Sequence, residues 1–227
     1  MTRSAPIRRV SRAAGSRKRA EGNTGRYHHG ALREALLEAA ERILKRDGIG
    51  GLSLRAAARE AGVSHAAPKN HFGDVTGLLS ELAALGFERF AATIGRSLQD
   101  EDSPDRRLAA LGRGYVAFAR AHPDLFLLMF RSERLDMSRP ALRAAAAGSL
   151  RLLSEAVGAR RGEKVAGNPT LGQLAETALS WSLAHGFSML LIDNRLRPLL
   201  AKLPPDTGAD TLFSAMLDVL RSRRRDG

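Results

Sequence analysis

The segment from Leu52 to Leu79 constrains the fold of this chain more than any other part of the sequence. It contains two short helical patterns separated by the three-residue turn Gly62-Val63-Ser64. Two short helices joined in this way form a helix-turn-helix, whose second helix lies in the major groove of DNA. The sequence therefore predicts a protein that binds double-stranded DNA.

Basic charge is concentrated at the start of the chain. The net charge is +12, and residues 1–26 carry eight Arg or Lys residues against a single acidic residue, Glu21. Arg, Ser, Gly and Ala without periodicity cannot form a core, so we expect residues 1–26 to be a disordered basic arm. Such an arm would attract DNA phosphates whatever the base sequence.

Several classes of function are disfavoured by what the sequence lacks. It has no cysteine, which excludes disulfides, thiolate catalysis and Cys-ligated zinc. It also shows no Gly-rich phosphate loop, no metal-ligand cluster and no Ser/His/Asp constellation. The longest uncharged run, Thr177 to Ile192, is shorter than the roughly 18 residues that span a bilayer, and no signal peptide precedes it. We expect a cytoplasmic protein, nucleoid-associated when bound to DNA, that is not an enzyme and needs no cofactor, metal or membrane.

Helical periodicity runs along the chain, with no convincing strand alternation and no internal repeat. Ser53 and Ser64 are placed to N-cap the second and third helices, and Asp74 can open a long fourth helix. We therefore predict an all-α fold of about nine helices. It comprises a three-helix helix-turn-helix domain over residues 27–73, called the head, and a larger helical body over residues 74–227, with a linker helix at residues 74–98.

Four motifs in the head resemble the TetR/AcrR family of bacterial repressors. They are Tyr27-His28-His29-Gly30, Leu52-Ser53-Leu54-Arg55, Ala61-Gly62-Val63-Ser64 and Ala66-Ala67-Pro68 followed by Asn70-His71-Phe72. The resemblance covers residues 27–90, and the motifs occur at the mutual spacing of the family. The body resembles one branch of that family through Ala121-His122-Pro123-Asp124-Leu125-Phe126 and Trp181-Ser182-Leu183-Ala184-His185-Gly186. The resemblance implies a dimeric repressor that a small-molecule effector releases from a palindromic operator. It also implies that the body, residues 74–227, is a ligand-binding and dimerisation domain.

Two positions depart from the family pattern. Lys69 stands where the family usually has a tyrosine that contacts DNA, and Val75 stands where it often has lysine. Lysine can still reach a phosphate as a flexible point charge, but it cannot stack. One phosphate contact is therefore expected to be missing, and Lys69 or the arm could replace it.

The resemblance places the DNA contacts on the second and third helices. Arg55 matches a position that can reach a base, and arginine to guanine is the commonest specific pairing. His65 can donate to a guanine or a phosphate, while Ala66 and Ala67 can contact thymine methyl groups. The residues expected at phosphates, which set register without reading sequence, are Ser53, Ser64, Lys69, Asn70 and His71.

Simpler interpretations compete with some of these roles. Arg55 could pair with Glu60 or be solvated, and His71 could pack beside Phe72.

Tyr27 and His28 are also candidates for DNA contact, because they could lie along the minor groove or the DNA backbone. A metal site at these adjacent histidines is disfavoured, because no carboxylate follows at helical spacing.

Dimerisation is expected because one small head makes too few base contacts, whereas two heads on half-sites about one DNA turn apart double them. The run from Thr177 to Ile192 is apolar nearly all round its helix, so it must be buried on more than one side. With the last helix it would form a four-helix interface, the alternative being an ordinary monomer core. The residues expected there are Ala178, Ser182, Gly186, Met189, Phe213, Met216, Leu217 and Leu220.

An effector cavity inside the body is implied by the resemblance. Its candidate lining residues are Phe118, Phe126, Met129, Phe130, Trp181 and His185. Such a cluster could equally be plain core, and the effector chemistry is not readable from it. A nonspecific architectural nucleic-acid-binding protein remains the alternative function, on account of the basic arm and the Arg223-Arg224-Arg225 end.

Overall fold

The computed structural model describes residue 1 and residues 24–99, 101–163 and 168–225, with the backbone alone for residues 24–30 and 223–225. Within these ranges the chain forms ten α-helices, two short 3-10 turns and no β-strand, which confirms the all-α prediction. The helices are α1 (Thr24–Asp47), α2 (Leu54–Ala61), α3 (Ala67–Phe72), α4 (Val75–Ser97), α5 (Pro104–Ala121), α6 (Pro123–Met129), α7 (Pro140–Arg161), α8 (Leu171–Ile192), α9 (Arg197–Leu200) and α10 (Ala209–Arg225). The helix beyond the nine predicted is α9, whose four residues are too few to show a helical period in the sequence.

The head consists of α1, α2 and α3, packed around a small apolar core. Ser53 caps α2 as predicted, because its Oγ accepts a hydrogen bond from the Ala56 amide at 3.1 Å. Gly62 ends α2 at φ 68°, a left-handed conformation that glycine adopts without steric penalty. Phe72 at the end of α3 is buried and closes this core.

The prediction that Ser64 caps the third helix is wrong. α3 begins at Ala67, and no side chain caps it. The Ala67 amide donates instead to the backbone carbonyl of Ser64 at 3.1 Å, so a turn precedes the helix. Pro68 lies in the first turn of α3 and has no N–H to be capped, which reduces the need for a capping side chain.

The predicted basic arm lies almost wholly outside the described residues. Its last three residues, 24–26, belong to α1, which begins earlier than the sequence suggested. The linker helix appears as α4, capped by Asp74, whose Oδ1 accepts a hydrogen bond from the Gly77 amide at 2.8 Å.

The body surrounds α4 with α5, α6 and α7, and α8 packs on α5 and α7. Prolines begin three of these helices, because the first helical position needs no N–H donor. α10 packs against α5. Because both the head and the body pack against α4, it is the element that they share.

No helix among the described residues is long and apolar enough to cross a membrane.

Candidate nucleic-acid interface and apolar cavity

The start of α2 and the turn before α3 present an exposed polar and basic surface. Ala67 and His71 are half-buried, and the other predicted contacts in this region are exposed, namely Ser53, Arg55, Ser64, His65, Ala66, Lys69 and Asn70. They come from the start of α2, from α3 and from the turn between these two helices, which pack together. The geometry leaves the predicted DNA-contacting side chains open to solvent.

Arg55 does not form the ion pair with Glu60 that the sequence allowed. Glu60 instead binds two arginines of α1, with Arg42 at 3.1 Å and Arg46 at 3.2 Å. Hydrogen bonds from these two guanidiniums hold the pKa of Glu60 below its usual value. Because no ion pair joins Arg55 to another described residue, its guanidinium is available to an external partner.

The remaining DNA candidates are less clear-cut. The ring centroid of His71 lies 6.1 Å from that of Phe72, so this histidine packs beside the core as its alternative interpretation allowed. Tyr27 and His28 belong to α1, and the structure describes their backbone but not their side chains.

Arg139, at the start of α7, fastens the body to the head. Its Nη2 donates to the backbone carbonyl of Phe72, the last residue of α3, at 2.7 Å. Its Nη1 donates to Oε1 of Glu81 on α4 at 3.2 Å. The other carboxylate oxygen of Glu81 is bound by Arg33 of α1. One guanidinium therefore holds the end of α3 and joins an ion-pair network that spans α1, α4 and α7.

The fastening at Arg139 requires a glycine opposite it. A Cβ on Gly77 would lie 2.0 Å from the Phe72 carbonyl oxygen and 2.4 Å from Nη2 of Arg139. The first turn of α4 thus approaches the end of α3 at a distance that only glycine permits.

A cavity of about 510 Å³ lies in the body beside α4. Its volume falls in the range of small-molecule sites, roughly 300–1,000 Å³. The residues that line it are Phe87, Phe90, Ile94, Leu111, Tyr115, Met129, Phe130, Ser132, Met137, Arg143, Ala146, Ala147, Ser149, Leu150, Leu153 and Trp181. Met137, Leu150 and Trp181 are each more than 40 % exposed, so the cavity reaches the surface. Met129, Phe130 and Trp181, which are candidates for lining an effector cavity, are among the residues that line this one.

Three of the predicted lining residues lie elsewhere. Phe118 and Phe126 are completely buried core residues behind the cavity wall, so the prediction that they line it is wrong. His185 is also absent from the lining, and its Nδ1 lies 2.8 Å from the hydroxyl of Tyr115, which does line the cavity. Burial lowers the pKa of His185, and this favours the neutral imidazole.

The predicted dimer residues lie mainly on an uncovered apolar surface of α8 and α10. Ala178 and Ser182 are exposed, and Gly186, Met189, Met216, Leu217 and Leu220 are partly exposed. Phe213 is the exception. It is 1 % exposed and packs inside the protomer with a ring centroid 5.0 Å from that of Phe187, so it is not an interface residue.

Sequence reasoning missed Arg139 and Arg143. Arg139 acts on partners 58 and 67 residues away, and no local pattern signals contacts at that separation. Arg143 precedes the run Ala144-Ala145-Ala146-Ala147, whose small side chains leave room for the cavity. That run was the one available signal, although alanine is also the commonest helix former.

Comparisons with known proteins agree with this architecture. A family model described as tetracyclin repressor-like, C-terminal domain, matches residues 108–220. A structure from Rhodococcus sp. RHA1, of a protein with unknown function, is 35 % identical, with a TM-score of 0.68 over 85 % of this chain and 95 % of that one. No curated protein sequence matches the chain.

Two further solved structures share the fold at lower identity. PfmR, a TetR family transcriptional regulator from Thermus thermophilus, is 19 % identical, with a TM-score of 0.51 over 81 % of this chain and 95 % of that one. FadR, a transcriptional regulator from Bacillus subtilis in complex with stearoyl-CoA, is 15 % identical, with a TM-score of 0.60 over 82 % of this chain and 96 % of that one.

Proposed function

This chain belongs to the TetR family of transcriptional regulators, and we propose that it is a repressor released from a palindromic operator by a small-molecule effector. It binds the operator as a homodimer. The observation that carries this proposal is the contact of Arg139 with the end of α3, because it connects the effector cavity to the DNA-binding helix.

The path from cavity to head is short. Met137 and Arg143 line the cavity, and Arg139 lies between them in the sequence. Phe87, Phe90 and Ile94 of α4 form another wall of the same cavity, while the first turn of α4 touches Phe72. An effector that prefers one position of these segments would shift the orientation of α3. An effector that binds both states equally would shift nothing.

At the operator, α3 enters the major groove and Arg55 reads a guanine from the start of α2. His65, Ala66 and Ala67 face base edges at the beginning of α3. Ser53, Ser64, Lys69, Asn70 and His71 contact phosphates, and Tyr27 and His28 extend toward the minor groove or the backbone. The exposed position of Arg55, with Glu60 already bound by Arg42 and Arg46, supports its role as the base-reading arginine.

The homodimer forms through α8 and α10. Leu174, Leu179 and Leu190 are 46–51 % exposed on α8, and Val219 of α10 is 52 % exposed. An exposed apolar surface made of such side chains supports a protein contact. Two α8–α10 pairs related by twofold symmetry would bury it and would set two heads on neighbouring half-sites.

The test is selection of bound fragments from a random DNA pool at roughly physiological salt, with the full chain. We expect enrichment of a palindrome whose half-sites lie about one helical turn, or 10 base pairs, apart. Tight, salt-sensitive binding without enrichment would overturn the proposal and favour the nonspecific architectural function, in which charge alone supplies the affinity.

A further inference from the structure

We propose that the cavity binds an amphipathic organic anion, with its apolar body inside and its negative group held at the mouth by Arg143. The inference rests on the proposed function in one respect, that the cavity is the effector site. It goes further by assigning the chemical class of the ligand.

The interior of the cavity offers an apolar body a surface without competing charge. The side chains from α4, α5 and α6 that line it are Phe87, Phe90, Ile94, Leu111, Tyr115, Met129 and Phe130. Its polar interior groups are already satisfied. The Ser149 hydroxyl donates to the Ala145 carbonyl at 3.0 Å, and the Tyr115 hydroxyl is paired with His185. The interior therefore offers a polar group little to replace the hydrogen bonds that it would lose with its water.

The mouth of the cavity differs from its interior. Arg143, Ala147 and Leu150 lie on one stripe of α7, are exposed, and line the cavity, as does exposed Met137. Arg143 is the only charged side chain in the lining, within the residues that the structure describes. No ion pair connects it to a described carboxylate, in contrast to Arg151 on the same helix, whose Nε lies 3.6 Å from Glu155.

An unpaired guanidinium at the rim of an apolar cavity selects among ligands by charge. A carboxylate or similar anion can accept two parallel N–H hydrogen bonds from arginine, whereas a cation is repelled and a neutral alcohol gains little. The neighbouring Ser132 hydroxyl, exposed at the same rim, adds a second donor without charge. Shape and charge together favour a molecule with one anionic end and one apolar end.

The chain carries its own reporter for this binding. Trp181 is its only tryptophan, and it lines the cavity. Decanoate, 1-decanol and decyltrimethylammonium share an apolar chain and differ in charge at one end. Each compound is titrated into the full-length protein at pH 8, at concentrations below those at which the compound itself aggregates. The change in Trp181 fluorescence measures the three affinities directly.

We expect decanoate to bind about tenfold more tightly than 1-decanol, a factor equal to 1.4 kcal/mol, and the cationic probe to bind more weakly than both. In Arg143→Gln the preference for decanoate over decanol should fall to within about twofold, while decanol affinity stays unchanged. The matched control is Arg151→Gln, which removes the same charge from the same helix away from the cavity and should keep the preference.

A cavity-filling variant tests the location. Ala146→Phe should weaken decanoate and decanol alike, because its ring takes the space of the apolar body. The proposal is overturned if decanoate gives no saturable response, if Arg143→Gln keeps the preference, or if decanoate still binds Ala146→Phe as tightly. Operator binding measured without any probe on the same samples separates the two claims. If it persists without anion preference, the ligand class alone is wrong, and if it is absent although decanoate is preferred, the repressor proposal fails instead.

Discussion

The proposed function makes Arg55 the residue by which the head reads bases. Its guanidinium is exposed, and Glu60 is bound by two other arginines. Replacement of Arg55 by alanine should therefore remove discrimination at one base position of each half-site, at a cost of about 1–3 kcal/mol per site. Binding of Arg55→Ala to a panel of operators with single base changes measures this loss.

The control for that experiment removes the same charge from the body. Arg106 is exposed at the start of α5, beside the end of α4 that lies away from the head, and Arg106→Ala should leave discrimination unchanged. If Arg55→Ala weakens binding equally on every operator, Arg55 contacts a phosphate and does not read a base.

We expect the stability of the body to depend on pH through His185, which is partly buried beside Tyr115. Burial lowers the pKa of His185 below the ordinary value of 6.5, so the unfolded chain binds a proton more readily than the folded one. The free energy of unfolding should therefore fall as pH drops below about 6.5, with the loss complete once pH passes below the folded pKa. Urea unfolding at pH 7.5 and 5.5 should show this fall, and His185→Gln should reduce it. If exposed His65→Gln reduces it as much, the effect does not come from His185.

Single residues were predictable where their partners are local. The cap at Ser53 needs only the amide three residues later, so its sequence pattern suffices. The same rule failed at Ser64, since the turn before α3 and Pro68 changed which amides needed partners. Arg139 was beyond reach, because its partners Phe72 and Glu81 come near it only in the folded chain.

Among the described glycines, Gly77 at the joint between α3 and α4 leaves the least room for an added Cβ. A Cβ at Gly77 would collide with the Phe72 carbonyl and the Arg139 guanidinium, and backbone cannot give way as a flexible side chain can. Gly77→Ala should lower the free energy of unfolding by about 1–3 kcal/mol through overpacking. It should also weaken the response of operator binding to the effector, because the end of α3 loses its fixed position. Chemical denaturation measures the first effect.

Gly95 provides the matched control on the same helix. A Cβ there would meet no atom within 4 Å, and alanine is favoured over glycine in a helix interior by roughly 0.5–1 kcal/mol. Gly95→Ala should therefore raise stability slightly. Equal stabilisation by both substitutions would show that the close approach at Gly77 does not constrain the joint.

Helix existence was readable from periodicity, whereas the space between helices was not. α4, α5, α7 and α8 each show several turns of repeating apolar residues. The cavity depends on how far α7 stands from α4 and α5, and its alanines give no sign of whether a neighbour fills the space they leave. Aromatic residues alone therefore located the cavity only in part, with Phe118 and Phe126 belonging to the core.

α8 is the helix whose exposed apolar side chains a single protomer leaves in contact with solvent. Its buried side faces α5 and α7, as an apolar helix requires, and includes Ala184, Phe187 and Ser188. Its other side exposes leucines that no described residue of the protomer covers. The apolar character all round the helix was visible in the sequence. Which residues face inward was not, and for that reason Phe213 of the neighbouring α10 was assigned to the wrong side.

Gly186 tests whether a second copy of the chain covers that side. Small residues four apart, Ala178, Ser182 and Gly186, would allow close approach of helices from two protomers, and a Cβ at Gly186 would meet no atom within 4 Å in the described part of its own protomer. Gly186→Leu should therefore leave the protomer folded, because leucine improves helix propensity over glycine by up to about 1 kcal/mol. It should nevertheless convert dimers to monomers, as light scattering coupled to gel filtration would show.

Gly148 on α7 is the matched position, since it also has open space around its Cβ but lies outside α8 and α10. Gly148→Leu should remain dimeric and bind the operator normally. The Gly186→Leu monomer should still contact single half-sites, but it should lose most of its affinity for the palindrome, because two heads are no longer held about one turn of DNA apart. A Gly186→Leu protein that stays dimeric at the wild-type concentration dependence would place the interface on another surface.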